Sequence, residues 1–211
     1  MKTILAATIA AAALAGSAHA QESGPYFGLG IGQSRIGIDA SRIDANALGA
    51  GFATSATVTD GRDGAWKIFG GYQYNRHLAV EVAYSDFGRF STQTVTTGPA
   101  GTVGSDTRAN AWSMDAIGLL PLSDRIALFG KVGLHRWEVD GRAAAIVGGA
   151  ASTVGARATG TDWKYGFGAR FDVSKSTALR VEWERFRNVG DAATTGRGDI
   201  DVLTLGVHYR F

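Results

Sequence analysis

From residue 201 to the C-terminus the chain alternates without a break. Leu203, Leu205, Val207, Tyr209 and Phe211 share one parity, and Thr204, Gly206, His208 and Arg210 share the other. Successive side chains of a strand point to opposite faces, so the segment predicts a strand with one apolar and one polar face; a helix would scatter both sets. The same pattern returns upstream. Phe27, Leu29 and Ile31 alternate with Gly28, Gly30 and Gly32, and Trp66, Ile68, Gly70, Tyr72 and Tyr74 alternate with Lys67, Phe69, Gly71 and Gln73. Leu78, Val80, Val82 and Tyr84 oppose Ala79, Glu81, Ala83 and Ser85; Trp112, Met114 and Ala116 oppose Ser113 and Asp115. Leu128, Val132 and Leu134 oppose Lys131, Gly133 and His135. Trp163, Tyr165, Phe167, Ala169 and Phe171 oppose Lys164, Gly166, Gly168 and Arg170, and Leu179, Val181 and Trp183 oppose Arg180, Glu182 and Glu184. The pattern predicts eight strands of about ten residues, the length a tilted strand needs to cross a bilayer.

The connections alternate in length. Tight turns fall at Asn75-Arg76-His77, Pro121-Leu122-Ser123-Asp124 and Ser174-Lys175-Ser176-Thr177, and long loops are expected from Ile36 to Arg62, Arg89 to Thr107, Val139 to Thr159 and Asn188 to Gly198. Long structureless loops are unusual in compact soluble domains. Here they take every second connection and so lie on one side of the sheet, as in a transmembrane barrel with short periplasmic turns and long extracellular loops. With both termini periplasmic, Trp66, Trp112, Trp137 and Trp163 fall at the loop end, where indole rings favour the headgroup level. Tyr72, Tyr74, Phe171, Tyr209 and Phe211 cluster at the turn end as a second girdle.

The polar face carries Lys67, Glu81, Asp115, Lys131, Lys164, Arg170, Arg180, Glu182, Glu184, His208 and Arg210, with both signs mixed. An eight-stranded barrel has a lumen just wide enough for side chains to fill. These groups are therefore expected to meet as an internal network of ion pairs and hydrogen bonds, because a buried unpaired charge costs several kcal/mol. The competing reading turns this face to water in a soluble sandwich or barrel. That reading leaves the one-sided loops and the sorted tryptophans without a cause.

The N-terminus supports export. Lys2 precedes an apolar run from Ile4 to Ala15, and Ala18-His19-Ala20 forms a small-residue cleavage site before Gln21. Residues 1–20 are read as a signal peptide and 21–211 as one barrel domain, which implies a Gram-negative cell envelope. The run is too short to span a bilayer as a helix, which needs about 20 residues. The chain has no cysteine, which excludes disulfides and thiolate metal sites. Its formal net charge of +2 gives no electrostatic case for nucleic acid.

Three segments carry a family likeness. Lys67-Ile68-Phe69-Gly70-Gly71-Tyr72-Gln73-Tyr74-Asn75-Arg76-His77-Leu78-Ala79-Val80-Glu81-Val82-Ala83-Tyr84 resembles the second hairpin of the OmpA/OmpX-type outer-membrane barrels. Trp112 to Leu122 is similar to that family's fourth strand and turn, and Tyr209-Arg210-Phe211 resembles its C-terminal assembly signal. The resemblance implies an all-β, eight-stranded antiparallel up-and-down transmembrane β-barrel in the outer membrane. It also implies contact with outer-membrane lipid and lipopolysaccharide, and insertion by the barrel-assembly machinery through the C-terminal strand. Many members continue into a peptidoglycan-binding domain; the sequence ends at Phe211, so cell-wall tethering is not expected.

Sites decide function, since a fold hosts many. No zinc-type spacing appears: His77 falls in a turn, and His135 and His208 are read as members of the internal network. The glycine run at 28–32 lacks a following helix and a phosphate-binding lysine, so no cofactor is expected. The leading expectation is a non-enzymatic, monomeric integral outer-membrane protein that supports envelope structure and presents four surface loops. A narrow porin-like channel lined by Lys67, Glu81, Lys131 and Arg210 is one alternative. A surface adhesin or immune-evasion protein acting through its loops, with a host or surface ligand, is another, and Arg197-Gly198-Asp199 is a candidate adhesive triplet. A lipid A-modifying enzyme is the third, although no serine neighbours His135.

Overall fold

The computed structural model describes residues 23–37, 53–98, 100–147, 150–191 and 195–211. The cleavage positions Ala18, Ala20 and Gln21 lie outside the described residues. Among the described residues there is no helix, and eight antiparallel strands form the fold. They are β1 (Gly24–Ile36), β2 (Ala53–Asp60 and Arg62–Gln73), β3 (Leu78–Gly98), β4 (Ala100–Pro121), β5 (Ile126–Val147), β6 (Ala150–Asp172), β7 (Thr177–Val189) and β8 (Gly198–Arg210). The two segments of β2 are one barrel strand, since 53–60 and 66–73 both pair with β3. Every strand pairs with its neighbours in sequence, and β1 closes the ring on β8 from Tyr26↔Arg210 to Ile36↔Ile200. Closure leaves no edge within the barrel wall, as hydrocarbon surroundings require, whereas above it residues 53–60 and 150–163 are paired on one side only.

Alternation sets which face is which. Leu29, Ile68, Met114, Leu134, Phe167 and Leu205 are exposed on the outer wall. On the opposite parity, Lys67, Glu81, Asp115, Lys131, Lys164 and Glu184 are each no more than 4% exposed. In water this arrangement would be inside out; against hydrocarbon it buries both sets favourably.

Two expectations need correction. Residues 89–107 and 139–159 are not loops, and residues 53–60 of the loop expected from Ile36 to Arg62 are strand as well. β3 and β4 stay paired from Arg89↔Arg108 to Thr97↔Ala100, and β5 and β6 from Val139↔Ala158 to Val147↔Ala150. The four central strands are 21, 22, 22 and 23 residues long, so they project from the barrel as tall hairpins. The physical reason is that period-two polarity requires two different environments. Beyond the bilayer both faces meet water, the binary pattern vanishes, and a strand rich in Thr, Ala, Ser and Gly reads as loop.

Trp137 is the second correction. It belongs to the interior, 5% exposed, and not to the membrane-interface aromatics. Its parity is that of Lys131 and His135, which point inward, while Leu134 and Arg136 point outward. Its ring lies over Gly160 on β6: a Cβ there would sit 2.4 Å from Cζ2 of the indole. Height along the strand suggested a girdle position, but parity decides the side.

Candidate functional site

The inner wall is layered. At the hairpin end an apolar plug fills the lumen, built from Phe87, Phe90, Trp137, Val139, Phe186 and Ile200 with smaller neighbours. Phe87 and Phe186 meet edge to face with centroids 4.7 Å apart. At the turn end a second apolar layer gathers Tyr26, Phe69, Ile117, Leu119 and Phe129. The charges lie between these layers.

That middle belt holds four cations, Lys67, Lys131, Lys164 and Arg180, and four carboxylates, Glu81, Asp115, Glu182 and Glu184. It is therefore formally neutral. Lys67 Nζ contacts Glu182 Oε1 and lies 2.8 Å from Glu184 Oε2. Lys131 Nζ sits 2.8 Å from Glu182 Oε2 and 2.6 Å from Glu184 Oε1. Lys164 Nζ donates to Asp115 Oδ2 at 2.9 Å and to Glu184 Oε1 at 2.6 Å. Arg180 Nη1 donates to Glu81 Oε2 at 2.6 Å and its Nη2 to Glu182 Oε2 at 2.9 Å.

Local strand geometry makes this meeting possible. Arg180, Glu182 and Glu184 are successive inward positions of β7, and Lys67, Glu81, Asp115, Lys131 and Lys164 come one each from β2 to β6. Glycines stand where bulk would collide: Gly133 pairs across the strands with both Asp115 and Lys164, and Gly166 with Lys131 and Glu184. Rings also hold cations, with Lys164 Nζ 4.5 Å from the Phe186 centroid and the Arg180 guanidinium between Phe69 and Phe129. Each charge is thus removed from water with opposite charges in contact, the condition under which burial is tolerable.

Four residues expected in the network stand apart from the belt. Arg170 donates to Gln73 Oε1 at 3.0 Å and lies 3.2 Å from Asp172 Oδ1. Arg210 joins the same turn-end group, with Nη2 3.1 Å from Asp172, and is only half-buried because it lies at the end of β8. His208 stacks on Tyr26 at 4.4 Å, and neither ring nitrogen has a hydrogen-bond partner among the described residues. His135 stays outside the ionic belt as well, its Nε2 3.1 Å from the Arg187 carbonyl.

Sequence reasoning missed Tyr26, whose hydroxyl donates to Glu81 Oε2 at 3.1 Å, and Ser113, which accepts from Lys164 at 3.2 Å. It also missed the whole plug. Continuing the parity of Glu184 to Phe186, and of Thr204 back to Val202 and Ile200, was the available signal.

On the outer wall two aromatic belts stand. Trp66, Tyr84 and Trp112 form a ring chain at 5.5 and 5.2 Å, and Trp163, Tyr165 and Trp183 another at 5.3 and 5.8 Å. At the turn end Phe27, Tyr209 and Phe211 touch at 5.3 to 5.9 Å, Tyr72 meets Tyr74 at 5.2 Å, and Phe171 is exposed. In the triplet Arg197-Gly198-Asp199, Gly198 opens β8. The Asp199 carboxylate accepts from the Asn188 backbone N–H at 3.1 Å and lies 3.3 Å from Arg187 Nε. An adhesive receptor would have to displace both contacts.

Known proteins share this fold. Residues 20–211 match the family model described as the OmpA-like transmembrane domain. Outer membrane protein A of Klebsiella pneumoniae is 30% identical over 80% of this chain and 47% of its own length, so the chain spans about half the length of that curated relative. Neisserial surface protein A superposes with a TM-score of 0.55 at 14% identity, over 90% of this chain and 100% of the other. Ail, the attachment invasion locus protein of Yersinia pestis, solved with the heparin analogue sucrose octasulfate, superposes with a TM-score of 0.51 at 14% identity, again over 90% and 100%. These structural likenesses show the fold alone. The family match covers nearly the whole chain, and the protein belongs to the outer-membrane family of the OmpA-like transmembrane domain.

Proposed function

We propose that this chain is a non-enzymatic, monomeric outer-membrane barrel with a sealed lumen, which supports the envelope and holds tall β-hairpins outside the cell. One observation carries the reading: a charge-neutral ionic belt fills the middle of the lumen between two apolar layers. A water path would have to part the contacts of Lys131 and Arg180 and also displace Phe87 and Phe186. Such a core makes a rigid pedestal and a poor pore. The rival channel reading draws no support from this packing. Nor does the lipid-modifying reading: against the sequence expectation Ser113 does pair across the strands with His135, but both face the sealed lumen, where the Ser113 hydroxyl accepts from Lys164 and donates to Asp115, and His208 stacks on Tyr26. In this reading both termini are periplasmic, and the outward row Leu203, Leu205, Val207, Tyr209 and Phe211 of the last strand is what the barrel-assembly machinery meets.

Planar-bilayer recording of the refolded chain tests the reading. The expected result is a flat baseline without reproducible open steps. Steps of constant size that recur between preparations overturn it. Protease shaving of intact cells checks orientation: cleavage within the β3–β4 or β5–β6 hairpins is expected, and protection of both is the contrary result.

A further inference from the structure

At the turn end the lumen keeps a cavity of about 20 Å³, with Tyr26, Gln73, Phe129, Arg170, Arg180 and His208 in its wall. That is room for one water-sized guest and little more. Four strands bring polar side chains to it: Gln73 from β2, Arg170 from β6, Arg180 from β7 and His208 from β8. None of the four is more than 8% exposed.

The wall is rich in donors. Among the described residues, neither nitrogen of His208 has a hydrogen-bond partner, and the Nε atoms of Arg170 and Arg180 have none either. The Tyr26 ring, stacked on the imidazole at 4.4 Å, fixes its plane. Acceptors nearby are already engaged. Gln73 Oε1 accepts from Arg170 Nη1 at 3.0 Å, and the Glu81 carboxylate accepts from both Tyr26 and Arg180. No carboxylate is among the described residues of the wall.

Charge points the same way. The ionic belt balances its cations against its carboxylates, but below it Arg170 and Arg210 share a single acid. Arg170 Nε lies 3.2 Å and Arg210 Nη2 3.1 Å from the same atom, Asp172 Oδ1. This group therefore carries one positive charge beyond its negative one. Burying an unmatched guanidinium is costly, and burying donors without acceptors adds to the cost.

Size and charge together select the guest. A water accepts from these donors but must place its own two hydrogens, and the wall offers few lone pairs for them. A monatomic anion accepts from every donor and asks for no acceptor in return. A tetrahedral oxyanion, with four oxygens around its centre, exceeds the cavity.

We infer that the turn-end cavity is a binding site for a single halide ion, chloride-sized, held by the Nε–H groups of Arg170 and Arg180 and by the His208 imidazole. This goes beyond the sealed-pedestal reading and does not depend on which way the hairpins face.

Two measurements test it on the full refolded chain. Crystals grown in sodium bromide should show an anomalous bromide peak inside the cavity, within hydrogen-bond reach of Arg170 and His208. In urea unfolding at constant ionic strength, replacing gluconate, which is too large for the cavity, by chloride should raise the midpoint until the site fills and the rise levels off. Arg170→Met leaves Arg210 paired with Asp172 and should weaken halide binding about tenfold, the effect of roughly one charge-assisted contact. A merely structural Arg170 would lower the midpoint equally in both salts; a halide-binding one lowers it more in chloride. Arg125→Gln, an exposed arginine in the β4–β5 turn, should keep the full chloride response. Both variants must keep the heat-modifiable folded band; if Arg170→Met loses it, the bromide crystal of the unchanged chain decides. Water or no peak in the cavity overturns the inference, and bromide at the surface alone marks an adventitious ion only and overturns it too. A midpoint that responds equally to gluconate, or a chloride response that survives Arg170→Met undiminished, is also a contrary result.

Discussion

Arg180 and Glu81 lie 99 residues apart in sequence and meet across the lumen in a forked pair, Nη1 to Oε2 at 2.6 Å and Nη2 to Oε1 at 3.3 Å. The guanidinium plane is also held between the Phe69 and Phe129 rings, 4.7 and 4.4 Å from their centroids. Carboxylates meet its nitrogens while two rings lie within cation–π distance of its carbon. A lysine could satisfy one requirement but not both, because its charge is compact and strongly hydrated.

Removing the charge of Glu81 tests the belt. Glu81→Gln keeps the shape but leaves the Arg180 guanidinium without its forked partner, while Lys131 retains Glu182 and Glu184. Breaking one side of a buried pair costs about 3–5 kcal/mol, so the urea midpoint for loss of the folded band should fall clearly. Glu81→Leu/Arg180→Met removes both charges and should be less destabilised than the two single changes summed. Additive losses would mean that the two residues do not act on each other.

Trp137 separates parity from height. As a plug residue its truncation to Ala should cost about 3–5 kcal/mol. Trp112→Ala, on the outer wall, should cost less. In variants with a single tryptophan, brominated lipid should quench Trp112 strongly and Trp137 weakly, because the barrel wall separates Trp137 from the acyl chains. Equal quenching would put Trp137 outside.

These two residues also mark how far the sequence could be read. Wherever one face meets lipid and the other a packed lumen, alternation located the strands, as around Lys67 and Glu184, and residue type named the sides. Two regions escaped for different physical reasons. In the hairpin extensions both faces see water, so residues such as Thr102 and Ala144 carry no period. In the plug, the inward positions Phe87, Phe186 and Ile200 are as apolar as the outer wall, so parity survives but the contrast of polarity that reveals it does not. Phe87 and Phe90, three residues apart, both point inward, which a strict two-residue count forbids; the irregularity in pairing between Asp86 and Arg89 shifts the register there. The eight belt residues were legible on the polar face, but Arg170, Arg210, His135 and His208 were read with them, and the pairing was not legible, because which cation meets which carboxylate depends on stagger around the ring.

Gly160 offers a complementary test of the plug. The Trp137 indole occupies the space that any side chain at 160 would need. Gly160→Val forces either the ring or β6 to move, an overpacking cost of about 1–3 kcal/mol. Gly155→Val, in the same strand but with room for its side chain, should be close to neutral. The comparison is read as two unfolding midpoints, and a reversed order would contradict the packing described for Trp137.

The hairpin extensions should be separable from the pedestal below them. Ala144 and Thr153 are directly paired on β5 and β6, so residues 145–152 can be deleted and the strands rejoined through an Asn-Gly turn, whose twist suits a two-residue hairpin. None of the described positions among those deleted contributes to the plug, the belt or the turn-end layer. The shortened chain should therefore keep its heat-modifiable band and unfold within about 0.5 kcal/mol of the parent, the range of surface changes remote from such features. Deleting 136–161 instead removes Trp137 and Val139 from the plug and takes Gly160 with them. That chain should lose the folded band at urea concentrations the shorter deletion survives, because stability resides in the layered lumen while the hairpins stand on it.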